Sequence, residues 1–126
     1  MKRDMTLIRE LLIKVEGVNE EIPVLQLKVD GYSHEQIAYN AYLLIEAGLA
    51  EGKTEPPVSD GNGGTRPTGK YLRNLTWQGH EFLDSVKNDA VWKKVLDYVQ
   101  DKGGSAPFNS IALLAVSFAK EYFGLP

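Results

Sequence analysis

The chain has 126 residues, 43% of them hydrophobic and 25% charged, with a formal net charge of -3. That is the size and balance of one globular domain, and it excludes a disordered or collagen-like chain. The absence of cysteine removes disulfides, thiolate metal sites and cysteine nucleophiles together.

At the amino terminus, Arg9, Glu10 and Lys14 interrupt the apolar residues before a signal-peptide core forms. No apolar run approaches the roughly 18 residues needed to cross a bilayer. A cytoplasmic address with no membrane partner is therefore expected. Asn74-Leu75-Thr76 matches a glycosylation sequon, which without an export signal is incidental.

From Asp4 to Glu16, Leu7, Ile8, Leu11, Leu12 and Val15 recur at helical spacing and predict a first helix, stopped at Gly17. Beyond Pro23, Leu25, Leu27 and Val29 alternate with polar residues and predict a short half-buried strand. Ser33 is placed to cap a second helix running from His34 to about Ala47, with Gln36 as its capping-box partner and Gly48 as its stop.

A brief strand is expected at Leu49–Gly52. The stretch Lys53–Gly69, with Pro56, Pro57, Pro67 and several glycines, is expected to hold no regular element. Extended character resumes over Tyr71–Leu75, which makes a hairpin with a long tip. Thr76 caps a third helix with Phe82, Leu83 and Val86 inward and His80 packed near them. Asp89–Gln100 repeats the helical pattern through Val91, Trp92, Val95, Leu96 and Val99. A last helix over about Phe108–Phe123 has a broad apolar arc of Ile111, Leu114, Ala115, Phe118, Ala119 and Tyr122, widened by Leu113 and Val116. So wide an arc implies contact on two sides.

Helix, strand, helix, hairpin, helix is the order of a winged helix, a helix-turn-helix variant with a β-hairpin beside its helices. The wording agrees. I-A-Y-N-A-Y-L-L-I-E-A-G-L over Ile37–Leu49 resembles a recognition helix entering the first wing strand, and L-T-W-Q-G-H-E-F-L over Leu75–Leu83 resembles the second wing strand entering a helix. With the opening M-K-R-D-M and the G-Y-S at Gly31–Ser33, these segments resemble the family known as domain of unknown function 2513, found in bacteria and their phages. The resemblance runs from Met1 through Trp92 and more loosely to the end. It implies an α+β, mostly helical, winged-helix-like fold: a single domain over 1–126 with a C-terminal helical extension from about 89. The chain departs from the winged-helix plan in having only one clear helix between its first helix and the wing.

In a DNA-reading winged helix, the second helix would offer donors and positive charge to the major groove. Here its outward residues are Glu35, Gln36, Tyr39, Tyr42, Leu43 and Glu46, an acidic and aromatic face. Gln36 and Asn40 are the side chains able to read adenine, although most surface amides read nothing. Tyr39, Tyr42 and Leu43, with Phe118 and Tyr122 of the last helix, are candidates for packing against protein. The hairpin is the better source of phosphate contacts, with Lys53, Arg66, Lys70 and Arg73 outnumbering Glu55 and Asp60; a solvated charged loop is the plainer reading.

Gly61-Asn62-Gly63-Gly64-Thr65 lacks the lysine and the strand-to-helix frame of a nucleotide-binding loop. His34 and His80 lie on separate elements without clustered carboxylates, so no catalytic residue, metal site or cofactor is expected, and no enzyme. Trp77 and Trp92 read as core or subunit packing. Two functions remain: a DNA-binding or regulatory protein of a phage or bacterium contacting duplex DNA, or an interaction module that pairs with itself or another protein.

Overall fold

The first helix, α1 (Met5–Glu16), starts where Asp4 turns its carboxylate back to accept from the Leu7 amide at 3.0 Å. Leu7, Ile8, Leu11, Leu12 and Val15 are all buried, as their spacing requires. The computed structural model describes residues 1–59 and 65–126; the Gly61-Asn62-Gly63-Gly64 run and Asp60 lie outside the described residues, as do the side chains of Val58, Ser59 and Thr65. The elements after α1 are β1 (Ile22–Pro23), a 3-10 turn (Val24–Gln26), α2 (His34–Glu46), β2 (Ala50–Ser59), β3 (Thr65–Leu75), α3 (Trp77–Val86), α4 (Asp89–Asp101) and α5 (Phe108–Tyr122). The protein is thus α+β and mostly helical, with one three-stranded antiparallel sheet of order β1-β3-β2 among the described residues. It divides into two compact units, Met1–His80 and Glu81–Pro126.

In the first unit the order is helix, strand, 3-10 turn, helix, hairpin, with α2 as the single α-helix between α1 and the hairpin. The alternation at Leu25, Leu27 and Val29 does not make a strand. The strand is the two residues before it, and the chain then winds through the 3-10 turn, which buries Val24 and Leu27 and leaves Leu25 78% exposed. A 3-10 turn brings residues i and i+3 to one side, so the pair that counts here is three apart and not two.

The hairpin also corrects the sequence reading. Pairing at Ala50↔Leu75, Glu51↔Asn74 and Gly52↔Leu72 is as expected, but the ladder continues through Glu55↔Thr68 and Val58↔Arg66 to Ser59↔Thr65. The Pro56-Pro57 pair is accommodated in the register shift between Glu55 and Val58. Proline lacks a donor and so breaks an inner strand; β2 is an edge strand, and a bulge releases the donor.

Glycines set how closely the sheet approaches α2. A Cβ on Gly69 would lie 2.9 Å from the Ala41 Cβ and 3.2 Å from the Tyr42 amide nitrogen. The same close fit explains the two segments that resemble wing strands. Gly48, at φ +73°, ends α2 and leads to Leu49, whose carbonyl accepts from the Thr76 amide at 3.1 Å. The Thr76 hydroxyl donates to the Gly48 carbonyl at 2.5 Å and accepts from the Gly79 amide at 3.0 Å. Gly79 lies against the Leu49 carbonyl with no room for a Cβ. These residues form a backbone clasp that closes the base of the hairpin.

α3 turns Gly79, Phe82, Leu83 and Val86 inward and leaves both His80 and Trp77 exposed, Trp77 at 77%. The packed position expected for His80 is therefore wrong, and Trp77, expected in core or subunit packing, is not in the core. Advancing 100° per residue sets His80 about a quarter-turn from the buried row and Trp77 on its far side. In the second unit, Asn88 caps α4 by accepting from the Ala90 and Val91 amides at 2.9 and 3.1 Å, and Val91, Trp92 and Val95 are buried. α5 buries only Ile111 and Ala115, with Leu114, Phe118 and Ala119 half-buried; the side of its arc carrying Leu113 and Val116 is exposed, Leu113 at 72%.

Candidate functional site

α2 begins at a reciprocal capping box: the Ser33 hydroxyl accepts from the Gln36 amide at 3.2 Å, and the Gln36 carbonyl oxygen accepts from the Ser33 amide at 2.8 Å. Half of the Gln36 amide is therefore committed to the helix start. Asn40, named with Gln36 as able to read adenine, is buried with its amide already matched. It is 1% exposed, its Oδ1 accepts from the Asp4 amide at 2.9 Å, and its Nδ2 donates to the Gln36 carbonyl at 2.9 Å and the Lys2 carbonyl at 3.4 Å. A buried amide must have its polar atoms matched, and Asn40 meets that need by tying the N-terminal residues to α2. Tyr32 joins the same tie. Its phenol hydrogen-bonds the Asp4 carboxylate and is pushed up to about 12, first by burial and then by the negative charges of Asp4 and Glu10.

Two faces of the first unit remain open. On α2, Glu35 and Glu46 are exposed and Tyr39, Tyr42 and Leu43 half-buried; the Tyr39 and Tyr42 rings stack at 6.1 Å. This face carries carboxylates, phenols and an aliphatic side chain, and no cation.

The other face belongs to the sheet. Leu72 is buried and Gly69 abuts α2, so by alternation Tyr71 and its cross-strand partner Lys53 point away from that helix. Arg73 shares this outer side. Its guanidinium donates to the Tyr71 hydroxyl at 3.2 Å and sits 5.6 Å from the ring centroid. Two register shifts, between Glu51/Gly52 and Lys53/Thr54, leave Arg73 and Lys70 as the extra residues on β3. Bulges re-aim side chains, and the outcome is a separation: Lys53 and Arg73 flank Tyr71, whereas Lys70 and Arg66 line a groove of about 450 Å³. That groove lies between Pro23–Leu25, the first turns of α2 at His34, Glu35 and Ala38, and the strands at Glu55, Arg66, Thr68, Gly69 and Lys70.

The four hairpin cations named from sequence therefore form two pairs in two places. Phe118 and Tyr122 belong to the second unit: Phe118 meets Tyr98 edge-on at 6.2 Å, and the exposed Tyr122 meets Phe123 at 5.1 Å. Sequence reasoning missed Tyr71 as the partner of Arg73, which an aromatic and an arginine two apart on a strand would have signalled. It also missed the exposed Leu25 and the groove beside it. Among the described residues no group of three or more potential metal ligands occurs, and no helix is long and apolar enough to cross a membrane.

Fold and surfaces together define a small α+β, mostly helical protein whose open faces are built from charged and aromatic side chains. The chain belongs to the family described as hypothetical protein (DUF2513), whose model matches residues 2–105. It is 32% identical over 116 residues to an uncharacterized protein of Haemophilus influenzae, covering 91% of this chain and 92% of that one. No solved structure matches it.

Proposed function

We propose that this chain is a cytoplasmic, non-catalytic regulatory protein that meets duplex DNA with the outer face of its hairpin. The observation that carries this reading is the cluster of Lys53, Tyr71 and Arg73 on the side of the sheet turned away from α2. Two cations and a hydroxyl-bearing ring are donors suited to phosphate oxygens, and a hairpin is narrow enough to follow a groove. Glu35 and Glu46 make α2 a poor occupant of the major groove, because each carboxylate would repel the phosphates on either side.

Binding through so few charges is weak and steep in salt only in proportion to them. Neutralising two phosphates, one each by Lys53 and Arg73, gives a slope of log K against log salt of about -1.8. Fluorescence anisotropy of a labelled duplex of about 25 base pairs, titrated from about 25 to about 200 mM salt, tests this. No binding at the lowest salt overturns the reading.

A second reading, an interaction module that contacts protein, rests on the stacked Tyr39 and Tyr42 with Leu43 beside them. Aromatic residues with few cations are the composition of interface cores. A monomer mass by light scattering at high concentration would remove its self-pairing form, including one through Phe118 and Tyr122.

A further inference from the structure

The edge of β3 that faces away from β2 is only partly used. β3 spans Thr65–Leu75, yet on that side β1 pairs with it only at Ile22↔Leu72 and Pro23↔Tyr71. After Pro23 the chain leaves the sheet through the 3-10 turn, so Thr68, Gly69 and Lys70 carry on beside the groove with no strand, among the described residues, on the side away from β2. Pro67 offers no donor and sets the outer limit of any ladder there. The open stretch is three residues long, about 10 Å at the usual strand rise.

We infer that the groove between the 3-10 turn, the start of α2 and β3 takes an extended peptide segment of a partner protein, added as a strand in line with β1 and antiparallel to β3. Backbone amides and carbonyls left at a strand edge are matched best by another extended backbone, the basis of recognition by strand addition. The walls suit the side chains of such a segment. One alternate side chain of the added strand meets Val24 and Ala38, while Leu25 stands exposed at the rim as a further apolar contact. Charge favours a peptide over a polyanion: the groove is lined by Glu35 and Glu55 as well as Arg66 and Lys70, a mixed set that suits a neutral backbone with side chains of both signs. The volume of about 450 Å³ falls within the range of formed binding pockets. This site is separate from the outer face assigned to DNA, and neither reading requires the other.

The test uses the full chain, isotope-labelled, with three terminally capped heptapeptides of alternating threonine and an apolar residue, the latter valine, leucine or phenylalanine. At about 2 mM peptide, enough for a millimolar site, at least one should slow amide exchange at Thr68–Lys70 about tenfold. The same peptide with alternate backbone nitrogens methylated should not. Leu25→Glu, at an exposed position that leaves the core intact, should weaken the protection several-fold while the thermal transition stays in place. Absence of protection with all three peptides overturns the inference. So does equal protection by the methylated peptide, which would make the contact merely greasy. Protection of the same amides by a 25-base-pair duplex, or by raising the concentration of the protein alone, would assign the groove to DNA or to a second copy and would overturn it equally.

Discussion

α2 and the outer face of the sheet belong to one unit and turn opposite chemistry to solvent. The helix offers Glu35, Tyr39, Tyr42, Leu43 and Glu46; the sheet offers Lys53, Tyr71 and Arg73. Element order alone would make the helix the reader of DNA. Its side chains argue against that role, since an acidic face makes the electrostatic potential negative where phosphates need it positive. Topology places an element, but the residues on its open side decide what it can meet.

The contrast depends first on the close approach of helix and sheet. Gly69→Val would drive a branched side chain into Ala41 and the α2 backbone, and should lower unfolding stability by about 3 kcal/mol in a denaturant titration. Unchanged stability would mean that the two faces are not held back to back. Next, Asn40→Ala should cost about 2 kcal/mol, because it strands the Asp4 amide and the Lys2 carbonyl. Its DNA affinity, measured on the folded variant, should stay within about twofold, since a residue buried to this degree touches no base. A large and selective loss of affinity would return Asn40 to the reading surface.

The contrast itself is sharpened by charge. Lys53→Gln with Arg73→Gln should weaken duplex binding about tenfold at low salt and flatten the salt slope by nearly two. Glu35→Gln with Glu46→Gln should strengthen it less than twofold if α2 stands clear of the phosphates; a tenfold gain would bring the helix to the DNA and break the comparison. The smallest effect is at high pH. With its folded pKa raised to about 12 from an ordinary 10, Tyr32 contributes stability that is whole below about pH 10 and disappears as pH climbs through 12. An absorbance titration should show one phenol ionising near pH 12, and Tyr32→Phe should delete that step.

Much of the candidate site was legible and some was misread, for identifiable reasons. Ser33 and Gln36 announce their capping box because both partners sit within four residues. The hairpin pairing at 50–52 and 72–75 follows from flanking extended segments. The prolines at 56 and 57 conveyed a false stop, since their harm depends on whether the strand is inner or edge, and sheet order is not a local property. Asn40 looks like any helix amide in the sequence; the 36-residue separation from Asp4 hides its real partner. His80 reads as packed from its neighbours Gly79 and Phe82, and Trp77 from the apolar pattern around it, whereas their angle around α3 turns both away from the buried row.

Short-range rules therefore determined the helices, the caps at Ser33 and Thr76 and the overall α+β class, because each depends on residues within a few positions of one another. Only the folded chain decided that four hairpin cations separate into two pairs, that a bulge leaves Lys70 over a groove, and that Leu49 clasps Thr76 and Gly79. Those outcomes come from strand register and from how near two backbones can approach, quantities set jointly by segments far apart in the chain.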